Sequence, residues 1–139
     1  MPGSAEQFRD DDVIWYGVQI LKPRMMIQEK YRACMAACYR CADACDHCAT
    51  SCLQETHVQS MADCIHLDRF CAEICRTAAS FMAKTSGIQH EAYVVKICAL
   101  CAQVCEDCAA QCEKHADAHC QECARACREC ADACRKMAA

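Results

Sequence analysis

From Cys34 to Cys52 the chain reads CMAACYRCADACDHCATSC, with cysteines at steps of 4, 3, 4, 3 and 4. Zinc fingers group cysteines in pairs, and disulfide scaffolds scatter them over loops. A strict 3/4 alternation instead marks one face of an α-helix. The pattern returns at Cys98, Cys101, Cys105, Cys108 and Cys112, and again at Cys120, Cys123, Cys127, Cys130 and Cys134. Between these runs lies a sparser row of Cys64, Cys71 and Cys75. The first row consists of Cys34, Cys38, Cys41, Cys45, Cys48 and Cys52, which completes the 19 cysteines. These are the a and d positions of a heptad, where an ordinary bundle places Leu or Ile.

The rest of the composition favours helix. Only 3 Gly and 2 Pro are present, so turns are few. The residues between cysteines are rich in Ala, Glu, Arg, Lys and Gln, which are good helix formers. The spacing predicts helix 1 over about 27–53 and helix 2 from after Thr56 to about Lys84. Thr56 and Gln59 have the spacing of a capping box, and Gly87 is the expected terminator of helix 2. Helix 3 is expected over about 89–114. Asp117 is the expected N-cap of helix 4, over about 118–137. The fold class is all-α: an antiparallel up-down-up-down four-helix bundle with a cysteine-lined core. Residues 26–139 form that bundle and residues 1–25 an N-terminal arm. The arm is either a partly ordered tail or a segment that packs Ile14, Trp15 and Ile20 on the bundle or on a neighbouring subunit.

So many cysteines in a small chain usually mean a secreted disulfide framework. The odd number argues against it, as does an acidic N-terminus where a secretory signal needs positive charge. The apolar run Val13–Leu21 is too short to span a membrane. The expectation is a cytoplasmic protein with reduced thiols. A formal charge of −4 and no basic stripe give no reason to expect nucleic acid. There is no isolated, activated Cys beside a His–acid pair, nor a Gly-rich phosphate loop, so an enzyme is not expected.

Protonated cysteines are small hydrophobes and can form a core without metal. As thiolates they need counter-charge. Four thiolates around Zn²⁺ leave a net charge of −2, and several such sites in a dry core would repel. Iron–sulfur clusters also take four cysteines, usually from loops. Cu(I) is soft, favours thiolate and accepts few ligands. One Cu⁺ per displaced thiol proton leaves the row neutral, and neighbouring ions can share sulfurs. Storage of multiple Cu(I) ions is the leading function. The alternatives are a zinc or general metallothionein-like buffer and a thiol redox reservoir.

Over roughly residues 26–137 the chain resembles the cytosolic branch of the bacterial copper storage proteins. The resemblance rests on the CxxxCxxC rows of helices 1, 3 and 4 and on CIHLDRFCAEIC in helix 2. It implies Cu(I) storage on the 19 cysteine thiolates inside a four-helix bundle, and association as homotetramers. A copper chaperone or chelator donor is the partner such a store would need; neither nucleic acid nor membrane is expected.

Extending the 4/3 alternation brings in other side chains. In helix 2 the row reads His57, Met61, Cys64, Asp68, Cys71, Cys75, Ala78, Met82. Helix 3 leads on to His115 and His119. The topology gathers His57, Met61, His115 and His119 beside Cys52 at one end, the expected copper entrance. The other end gathers Ile27, Tyr31, Phe81, Met82, Tyr93, Val94 and Met137 as an apolar plug. Asp68 occupies a cysteine slot, either facing metal or tilting toward Arg69 or solvent. His47, His66 and His90 lie off the row and are expected at the surface.

Overall fold

The structure, a computed structural model, describes residues 22–139. Ile14, Trp15 and Ile20 lie outside the described residues, as does the side chain of Ile27. Four α-helices follow in order: α1 Lys22–Leu53, α2 Ala62–Lys84, α3 Ile88–Cys112 and α4 Ala118–Ala138. A short 3₁₀ helix, Val58–Met61, precedes α2. α1 packs on α2, α2 on α3, α3 on α4 and α4 on α1, the cyclic order of an up-down-up-down bundle.

Cysteine and alanine build the core together. Every cysteine is buried. Ala37, Ala42, Ala72, Ala102, Ala109, Ala124 and Ala131 are buried beside them. These short side chains let the helix axes approach until sulfur rows from all four helices meet. The larger apolar residues Leu67, Ile74, Ile97 and Val104 pack partly buried against the outside of this core. Ion pairs fasten neighbouring helices on the surface: Arg76–Asp46 at 2.5 Å, Arg128–Glu113 at 2.9 Å and Arg135–Glu106 at 2.7 Å. Exposed pairs of this kind are screened by water and contribute little each.

Three local expectations are corrected. α1 already includes Lys22, the first described residue and five residues before the expected start, with Pro23 next to it. The Thr56–Gln59 capping box does not form. The chain turns after Leu53, and the 3₁₀ helix starts after His57 with no side-chain cap. That tighter turn carries Met61 into the core at 0% exposure. Burying a Met side chain stabilises by about 1.5–3 kcal/mol, more than the ~1 kcal/mol of a typical cap. Gly87 does not end α2. α2 stops at Thr85, whose hydroxyl donates to the Phe81 carbonyl at 2.8 Å. Gly87 is the extended N-cap of α3, and its carbonyl accepts from the His90 and Glu91 amides at 3.0 Å. Asp117 does occupy the N-cap position of α4, but its side chain makes no capping bond. Among the described residues, no helix is long and apolar enough to cross a membrane.

Candidate metal centre

The 3/4 spacing turns each cysteine row inward, and antiparallel packing interleaves the rows. Sulfurs from different helices then lie within van der Waals reach. Cys41 is 3.6 Å from Cys127 and 3.7 Å from Cys71. Cys71 and Cys75 are each 3.6 Å from Cys105, and Cys123 is 3.6 Å from Cys45. Cys38 lies 3.7 Å from Cys130, and Cys34 lies 3.7 Å from Cys134. The shortest approach is Cys64–Cys112 at 3.2 Å. All 19 thiols are free, since a disulfide bond is about 2.05 Å.

The sets that could hold an ion overlap. Cys41, Cys71, Cys75 and Cys105 form one group, and Cys41, Cys45, Cys71 and Cys127 another. Cys45 and Cys127 belong as well to a group with Cys108 and Cys123. A metal about 2.3 Å from each of three sulfurs holds them about 4 Å apart, which is the spacing found here. Separate closed sites would each need their own sulfurs. A chain of ions that share sulfurs needs a lattice of this kind.

Asp68 interrupts the lattice from inside. It is 0% exposed, so the alternative of a side chain tilted toward Arg69 or solvent is not realised. Cys108 donates to its Oδ1 at 3.2 Å, Cys123 at 3.3 Å and Cys112 at 3.6 Å, while Cys64 donates to Oδ2 at 3.9 Å. Burial in the dry core pushes its carboxyl up to about 11. The metal-free core therefore holds Asp68 as a neutral acid.

At the end where α1 and α3 finish, His119 is the side chain that joins the thiol row. Its Nδ1 lies 3.6 Å from the sulfurs of Cys48 and Cys120 and 3.9 Å from Cys52. Its Nε2 donates to the Glu55 carboxylate at 2.9 Å. That bond fixes the tautomer: the proton sits on Nε2, and the Nδ1 lone pair faces the sulfurs. Burial pushes the Cys52 thiol up to about 11, with Cys64 adding to it, and Cys120 is raised for the same reasons. Metal binding here must displace protons.

The other residues expected at this end divide. Met61 is fully buried. His115 is half-buried, and its Nε2 is sealed from solvent without a hydrogen-bond partner. His57 is not part of the row. It is 46% exposed and sits 3.6 Å from the Asp117 carboxylate, because the 3₁₀ turn breaks the register that would bring it inward. Glu55 was not anticipated. It lies in the turn after α1 ends at Leu53, where no helical spacing marks it.

At the opposite end Tyr31, Met82 and Val94 are buried, while Phe81 and Met137 are only partly so. Tyr93 does not plug the end. It is 58% exposed and stacks on His90. His47 and His66 are exposed as expected. His90 is half-buried and accepts a hydrogen bond from the Ser86 amide at 3.2 Å.

Fold and site together define a helical bundle that sequesters soft metal ions in a thiol core. A family model described as copper storage protein matches residues 27–139. The chain belongs to that family. It is 48% identical over 112 residues to the Bacillus subtilis (strain 168) uncharacterized cysteine-rich protein YhjQ, covering 80% of this chain and 99% of that protein. Among solved structures it is similar to the Cu(I)-bound copper storage protein BsCsp3, with 46% identity and a TM-score of 0.72, over 79% of this chain and 99% of that one. It is also similar to a cytosolic copper storage protein from Streptomyces lividans carrying five coppers, with 34% identity and a TM-score of 0.77, over 81% of this chain and 95% of that one.

Proposed function

We propose that this protein stores many Cu(I) ions on its core cysteines, at about one ion per thiol. The observation that carries this reading is the overlap of the sulfur groups, in which Cys41, Cys45, Cys71 and Cys127 each serve more than one. Each incoming Cu⁺ replaces a thiol proton, so the core stays neutral as it fills. Four-thiolate zinc sites would instead accumulate negative charge in a dry interior. Asp68 is the oxygen ligand within the row. His119, with Met61 and His115 behind it, takes ions from a copper-carrying donor and passes them to the stronger thiolates. His57 is at most an outer contact on that path.

The role is storage rather than catalysis, because buried thiols present no nucleophile to a substrate. Free thiols fit a cytoplasmic setting, and the similar Streptomyces protein is a cytosolic one. Assembly into a homotetramer follows from the family resemblance. Anaerobic titration of the reduced protein with Cu(I) against a competing chelator tests the reading. Saturation near the number of cysteines supports it. Saturation at about four or five ions would instead mark isolated four-thiolate sites.

A further inference from the structure

The family match begins at residue 27, so the residues before it are an addition to the shared bundle. They contain Asp10, Asp11 and Asp12, followed by Val13, Ile14, Trp15, Tyr16 and Ile20. The end of the bundle where α1 begins carries an apolar hollow of about 240 Å³ between α2 and α3. Phe81, Lys84, Thr85, His90 and Tyr93 line it. Beside it Ile88 is 83% exposed, and Tyr93 itself is 58% exposed. Lys84 sits over the Phe81 ring, with its ammonium 5.7 Å from the centroid. Apolar surface gathered around a hollow in this way marks a contact site.

We propose that residues 10–20 dock on the hollow of their own bundle, with Trp15 as the ring that fills it. Reach allows it. α1 runs nine residues beyond the buried Tyr31, about 14 Å at the helical rise. Trp15 precedes Lys22 by seven residues, an extended span of about 23 Å. That is enough to return along the helix and cross one interhelical spacing of about 8–10 Å. Charge favours the same placement. Lys84 and Lys96 are exposed on α2 and α3 at this end, and the three aspartates follow Trp15 toward the N-terminus. Aromatic walls and a cation suit an indole, whose face attracts both. The competing occupant is the same arm from a second copy.

Trp15 is the single tryptophan, so its fluorescence reports the arm alone. The measurement uses the full-length, reduced, metal-free protein, with a synthetic peptide of residues 1–21 as the solvent-exposed reference. Docking predicts emission shifted to the blue of the peptide and acrylamide quenching several-fold weaker, both unchanged on dilution. Tyr93→Ser should return emission and quenching to the peptide values with far-UV circular dichroism unchanged, because Tyr93 is not part of the core. Lys84→Glu should weaken protection in a way that depends on salt. Emission matching the peptide in the native protein overturns the proposal. So does protection that disappears on dilution, which would assign the hollow to a second copy. Protection that survives Tyr93→Ser combined with Phe81→Ser would place the arm elsewhere and overturn it as well.

Discussion

At one end of the bundle Tyr31, Met82 and Val94 stop the thiol row at 0–2% exposure. At the other, Cys52 and Cys120 meet His119, which is 12% exposed and held by Glu55. Both ends are capped by the final turns of the same four helices. One cap is sealed by fully buried side chains, while the other presents an oriented imidazole nitrogen at the edge of water. The surroundings differ too. Glu55, Asp63, Glu113, Asp117 and Glu122 surround the His119 end, against Lys114 and Arg125. Lys30, Arg32, Lys84, Lys96, Arg135 and Lys136 lie toward the Tyr31 end, against Glu29, Glu91 and Asp132. The acidic surface at the first end favours cations over anions there. A tightly packed end and an end with a partly exposed imidazole thus lie at opposite ends of the bundle axis.

The largest expected effect breaks the tight end. Met82→Ala removes a fully buried side chain and should lower metal-free stability by about 2–5 kcal/mol. Chemical denaturation of the reduced protein measures it. Met82→Leu should restore stability and leave copper loading unchanged. Met61→Leu at the opposite end should also keep stability but slow loading. Equal loading rates for the two Leu variants would erase the assigned difference between the ends.

The next effect concerns the carboxylate in the half of the row nearer His119. Asp68 has a folded-state pKa raised to about 11, above the ordinary value of about 3.9. Its favourable contribution is therefore present below about pH 4 and lost as pH rises toward the folded value. Asp68→Asn should stabilise the metal-free protein by about 2 kcal/mol at pH 8, and the gain should vanish near pH 3. Urea unfolding at the two pH values is the check. A gain that persists at low pH would show that packing, not ionisation, is responsible.

His119→Ala should slow Cu(I) loading and chelator-driven removal about tenfold, the low end of what losing a metal-positioning group costs, while final capacity falls little. Stopped-flow uptake at matched stability measures it. His57→Ala should change the rate much less, because His57 faces Asp117 and solvent. The smallest effect is expected from Glu55→Gln, which keeps the shape but loosens control of the His119 tautomer. A slowing of about threefold is expected, below the usual range for an outer partner because Glu55 is partly exposed.

The bundle and its thiol core were legible because a 3/4 spacing admits one reading: each row is a helix face, and four such faces must bury one another. Helix boundaries were less so. Thr56–Gln59 has the letters of a capping box, yet burial of Met61 in the 3₁₀ turn outweighs that bond. Gly87 has the letters of a helix stop, yet it opens the next helix because Thr85 ends α2 on the Phe81 carbonyl.

Spacing along the chain reports which residues share a face, so it determined the 19 inward cysteines and the end at which His119 falls, while it left open whether Asp68, in a cysteine slot, faces in or out. It contains no distances between helices. Only packing decided that Asp68 Oδ1 gathers thiols from Cys108, Cys112 and Cys123. Only packing turned His57 to solvent and Tyr93 away from the plug. Above all, the bond from His119 Nε2 to Glu55 spans 64 positions of sequence. Which imidazole nitrogen faces the sulfurs is fixed by that partner, and a partner brought close by the turn of one helix pair against another has no periodicity to announce it.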